Sequence, residues 1–125
     1  MSVSYRITPE EGRVYMTMTG VTSFEEWERA MLAALADPSY RPGFGFLIDR
    51  RAAPSPTSDF IRRVVSFNKV HQGELGGGRR AVVVGSTADY GMGRMAEILS
   101  ESSSSPINVF TDIDEAQRWL RAARP

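Results

Sequence analysis

Three short strand-like runs, each separated from the next by a stretch of helical periodicity, constrain this chain more than any other feature. Residues 45–49 read Gly-Phe-Leu-Ile-Asp, residues 80–85 carry the core Ala81-Val-Val-Val84, and residues 107–110 read Ile-Asn-Val-Phe. Short apolar runs of this kind belong to strands buried on both faces. Strands alternating with helices favour a largely parallel sheet with right-handed crossovers. The β-branched content of residues 80–85 makes them the clearest strand of the set.

Upstream, residues 3–8 and 13–19 alternate apolar and polar side chains, with Pro9-Glu-Glu-Gly12 between them. A period of two on either side of a glycine turn predicts a hairpin of half-buried strands. In its second strand Val14, Met16 and Met18 share one face, while Tyr15, Thr17 and Thr19 share the other. The helices are expected on the Val14 side, leaving the opposite face partly bare.

Helix signals fill the intervals. Ser23-Phe-Glu-Glu26 is a capping box, in which the two side chains satisfy backbone N–H groups orphaned in the first turn. Phe24, Trp27, Met31 and Leu35 follow at helical spacing, and Asp37-Pro38 ends the run because proline disfavours helical geometry in the residue before it. A second helix is predicted over residues 59–72, capped by Thr57 or Ser58, with Phe60, Val64, Phe67 and His71 inward. A third is predicted from Asp89 to about residue 102, with Met92, Met95, Ala96 and Leu99 inward. The serines of 102–105 form a loop before Pro106, and Thr111 or Asp112 caps a last helix whose Ile113, Ala116 and Leu120 face the core. The predicted fold is α/β, in the order ββαβαβαβα, as one domain over residues 1–125. A chain of 125 residues buries roughly two thirds of its unfolded surface in a single core.

Composition narrows the function classes. Fifteen basic residues balance fifteen acidic ones, so no long-range field draws the protein to nucleic acid or an anionic membrane. The chain has no cysteine and one histidine, which argues against a disulfide framework and a transition-metal site. No basic segment leads into an apolar run at the N-terminus, and no stretch approaches the roughly 18 apolar residues that span a bilayer. A cytoplasmic protein is expected, without a cofactor.

With the elements in place, four segments resemble the STAS-like domains, the SpoIIAA-like group related to bacterial anti-sigma factor antagonists. They are Thr22-Ser-Phe-Glu-Glu-Trp27, Phe46-Leu-Ile-Asp49-Arg-Arg, Val82-Val-Val-Gly85 followed by Tyr90-Gly-Met-Gly-Arg-Met95, and Val109-Phe-Thr-Asp-Ile-Asp-Glu-Ala116 with Trp119-Leu120. The resemblance spans nearly the whole chain. It implies a SpoIIAA-like mostly parallel sheet with an N-terminal hairpin, and a non-enzymatic regulatory or protein-interaction module. In phosphorylated members of the wider family, a serine at the start of the helix after the middle strand accepts a phosphate. The matching region here, residues 49–59, lacks a compact Asp-Ser-Ser-Gly motif and carries a longer proline-containing loop.

In parallel α/β sheets, ligands usually meet the loops beyond the carboxyl ends of the strands. That edge points to Asp49, Arg50 and Arg51 at the end of the middle strand, and to Tyr90, Met92 and Arg94 at the head of the third helix. These six residues are the expected partner or ligand contacts. For Asp49 the competing reading is a carboxylate paired with a neighbouring arginine. For the helix head it is close packing around Gly91 and Gly93. Ser58 and Thr57 are candidate phosphoacceptors, with a plain N-cap as the competing role. His71 has no recognisable nucleophile elbow to serve, so no catalytic residue is assigned. Gly76-Gly77-Gly78 precedes a strand and opens no helix, which removes the context of a phosphate-binding loop. The expected partner is an unidentified protein, a second copy of the chain included. The alternative is a small apolar or acyl ligand held between Met-rich and aromatic helix faces.

Overall fold

The alternating segments β1 (Val3–Thr8) and β2 (Arg13–Thr19) pair antiparallel as predicted, and Met16 lies opposite Tyr5. The structure is a computed structural model that describes residues 2–101 and 105–122. β3 (Gly45–Ala52), β4 (Arg80–Val83) and β5 (Ile107–Phe110) then add in parallel, and the sheet reads β1-β2-β3-β4-β5.

The helices are α1 (Phe24–Ala36), α2 (Ser58–Val70), the single turn α3 (Gln72–Leu75), α4 (Thr87–Leu99) and α5 (Ile113–Ala122). Only α3 was not anticipated. The capping box forms: Ser23 Oγ accepts from the Glu26 N–H at 3.1 Å, and the Ser23 N–H donates to Glu26 Oε1 at 3.4 Å. Thr57 Oγ1 likewise accepts from the Phe60 N–H at 3.1 Å, so the cap of α2 is Thr57. Helix α4 starts at Thr87, two residues before Asp89, which was expected to cap it; the side chains of residues 87–89 and serines 102–104 of the expected loop lie outside the described residues.

Strands that follow one another in sheet order, all parallel, place crossovers of one hand on one face. Accordingly α1, α2 and α4 cover the face that carries Val14, Met16, Ile48, Val82 and Val109. Trp27 is 3% exposed there and meets Phe67 edge-on at 5.1 Å, joining α1 to α2. Helix α5 alone covers the other face, setting Ala116 and Leu120 over Leu47, Ala81 and Val83. It reaches β3, β4 and β5, so Thr17 and Thr19 of β2 stay exposed, as their alternation predicts.

Two expected inward stripes are redrawn. On α2 the buried residues are Ile61, Val65, Phe67 and Asn68, with Phe60 and Val64 half-buried beside them. Sheet and helices press on this helix from two sides, which widens its buried stripe. On α4, Leu99 is exposed and the inner face runs through Met92, Gly93 and Ala96.

The triple glycine is explained by close approach of backbone. A Cβ on Gly78 would lie 2.2 Å from the Phe44 carbonyl oxygen. The segment after residue 76 is therefore pressed against the entry to β3, a contact that only glycine permits. Gly78→Ala should cost about 2 kcal/mol or more of unfolding free energy in urea. Gly73→Ala, where an added Cβ meets nothing within 4 Å, should change stability by no more than about 1 kcal/mol. Equal losses in the two variants would refute the close-approach account.

Candidate functional site

Strand β3 continues three residues past Asp49, and this one difference from the sequence reading rearranges the expected contact cluster. Successive strand side chains point to opposite faces. Asp49 and Arg51 lie on the α5 face of the sheet, while Arg50 turns to the helix face. The expected triplet is therefore split across the sheet, and its members do not form one surface.

On the α5 face Asp49 is paired. Arg51 donates to its carboxylate from Nη2 at 2.8 Å and from Nε at 3.0 Å, and the Arg51 backbone N–H adds a third bond at 3.0 Å. These bonds, the side-chain ones first, hold the Asp49 carboxyl below its usual range against the opposing effect of burial. Arg50 instead donates to the Pro54 carbonyl at 3.0 Å and lies with Cζ 5.7 Å from the Phe60 ring centroid. The guanidinium groups of Arg50 and Arg51, the cations nearest in sequence to Thr57 and Ser58, are thus engaged elsewhere. Both hydroxyl residues are exposed at the head of α2, with Thr57 occupied as the cap.

The head of α4 divides too. Tyr90 is 37% exposed, and Arg94 is exposed and paired with Glu97, whose second oxygen accepts from the Val109 N–H at 2.5 Å. Met92, placed on the inner stripe of this helix and also named as a contact, is half-buried and faces inward. Gly93 is required by packing, since a Cβ there would sit 2.4 Å from Val109 Cγ2.

Arg50 and Met92 meet at a space that Asp49, Arg51, Tyr90 and Arg94 do not reach. Between α2, α4 and the middle of the sheet lies a cavity of about 70 Å³. Its walls are Ile48 and Val82 from the sheet, Phe60 and Val64 from α2, and Met92, Gly93 and Ala96 from α4; Arg50 and Pro56 also contribute. The polar groups at its inner end were missed in the sequence. Arg80 opens β4 and is only 2% exposed. It donates from Nη1 to Asn68 Oδ1 and from Nη2 to the Ser105 carbonyl at 3.0 Å. Burial pushes its guanidinium down to about 10, so it remains a cation at neutral pH. The signal that could have revealed it is a polar residue, Asn68, in the middle of the apolar stripe of α2.

His71 ends α2 at the other end of the sheet from Asp49. There it stacks 4.2 Å from the Phe67 ring and contacts Glu74 through Nδ1 at 2.7 Å. The fold therefore does not bring His71 and Asp49 together. Among the described residues no three acidic or histidine side chains gather around a point that suits a metal ion, and no helix is long and apolar enough to cross a membrane.

With this geometry in hand, comparison with solved structures defines the fold. The chain resembles an uncharacterized DUF3478-family protein with a SpoIIAA-like fold from Shewanella loihica PV-4, at TM-score 0.63 over 94% of this chain and 91% of that one. Identity is 16%, so the likeness is one of fold: this protein has a SpoIIAA-like fold with a STAS-type mostly parallel sheet. No family model and no curated protein sequence matches the chain.

The depressed Asp49 carboxyl has a consequence for stability. A lowered folded-state value contributes stability above the unfolded pKa, and that contribution is lost as pH falls through the folded one. The pair is partly exposed, which limits it to about 1 kcal/mol. Asp49→Asn should lose at most that amount at pH 7, and its stability should converge on that of the unsubstituted protein in acid, once the pH has fallen through the lowered Asp49 value. Chemical denaturation at pH 7 and in acid reads both quantities, and a gap that persists in acid would show that Asp49 acts through something other than its charge.

Proposed function

We propose that the protein is a non-enzymatic binding module whose ligand is a small apolar or acyl molecule held between α2 and α4. One observation carries this reading: the cavity there is walled almost wholly by carbon, and two of the six expected contact residues, Arg50 and Met92, line it. Apolar cavities are where small hydrophobic ligands displace little water and gain dispersion contacts. Ala96 on the inner face of α4 is the place to fill it. Native mass spectrometry of the protein from its own cells should show a small molecule released on mild denaturation. Ala96→Leu, with three more carbons in the cavity, should come out empty and equally folded. An unsubstituted protein that carries nothing, and binds no apolar probe when one is added, would end this reading.

A regulatory role through a protein partner is the second reading, and a different observation favours it. Tyr90, Arg94 and Ile98 recur every four residues on the outer side of α4, and Ile98 is 56% exposed. A stripe with an aromatic, an arginine and an aliphatic residue has the composition of an interface centre. A second copy of the chain is the first partner to test, and Ser58 is the accessible phosphoacceptor in such a scheme. Ile98→Asp should halve the mass seen by light scattering if α4 forms a homodimer. A monomer at all concentrations before substitution would remove the homodimer.

A further inference from the structure

We infer that the ligand of the α2/α4 cavity carries a carboxylate, which docks on Arg80 and Asn68 while its short acyl body fills the apolar space. This rests on the apolar-ligand reading above and specifies the chemical class of the molecule. The cation is the first ground. Arg80 has no carboxylate partner among the described residues, and the groups it donates to, an amide and a backbone carbonyl, are both neutral. An uncompensated charge taken out of water loses far more hydration than two neutral acceptors restore.

The second ground is unspent donors. Arg80 Nε and Asn68 Nδ2 are both buried without an acceptor. Asn68 uses its oxygen on Arg80, so its amide nitrogen has to look elsewhere, and both residues line the cavity. Two neighbouring sets of N–H donors, one on a cation, call for an anionic acceptor with two oxygens, as an arginine's planar fork does in bidentate pairing. No aspartate or glutamate lines that space, so an acceptor of this kind has to come from a ligand.

Hexanoate and 1-hexanol share a six-carbon chain and differ in the head group. In an amide NMR titration of the full chain at pH 7, hexanoate should bind about tenfold or more tightly than 1-hexanol, the scale of one charge-assisted hydrogen-bonded pair. Its shifts should centre on residues 68, 80, 92 and 96. Arg80→Met should erase the preference, and Arg80→Gln, which keeps a polar head, serves if the methionine variant does not fold. Equal binding of the two probes, or a preference that survives substitution, would overturn the carboxylate inference and leave the apolar cavity standing. No binding of either probe would overturn both.

Discussion

The strand order is the constraint on which the rest depends. Doubly wound sheets gain their ligand crevice where strand order reverses and successive helices leave on opposite faces. Here β2 to β5 run in sequence without reversal, so every crossover helix lies on one face and only α5 takes the other. The topology supplies no crevice of the switch-point kind at the carboxyl ends of the strands. Room for a ligand has to come from between the helices and the sheet. The α1/α2 contact is closed by the aromatic cluster of Phe24, Trp27, Phe60 and Phe67. Beyond it the described residues of α4 that line the same layer are Met92, Gly93 and Ala96, and the small side chains of the last two do not fill the gap.

That gap is costly where it sits. At about 24 cal/mol per Å³, a void of about 70 Å³ forfeits about 2 kcal/mol of contact. A buried cation with neutral partners adds a desolvation penalty at the same spot. Two unfavourable features lie in contact with one another, inside a core that elsewhere packs Val14, Phe46 and Met31 without exposure, and the proposed ligand offsets both.

The sequence carried most of the fold, because hydrophobic period and cap chemistry are local properties. The hairpin, the capping box at Ser23 and the inner face of α5 all follow from residues within a few positions of one another. The site was less legible, for two physical reasons. Ending β3 at Asp49 hid the alternation that separates Arg50 from its neighbours, since polar residues 49–51 resemble a loop until a parallel neighbour pairs with them. Arg80 was missed because nothing local marks it as inward. Its burial is set by register with Phe46 on one side and Ile107 on the other, a long-range pairing that no window of sequence contains.

The two functional readings meet on α4. Its inner side lines the cavity and its outer side carries Tyr90, Arg94 and Ile98. Between them Glu97 ties the helix to the sheet edge, accepting from the Val109 N–H while it pairs with Arg94. Gly93 against Val109 leaves no slack at that contact. An occupant larger than the present cavity has to lift α4, and lifting α4 strains the Glu97 tether that also positions Arg94. On the two proposals together, such a helix would link cavity and surface without a second moving part, because a packed element has few alternative positions and moves as a unit.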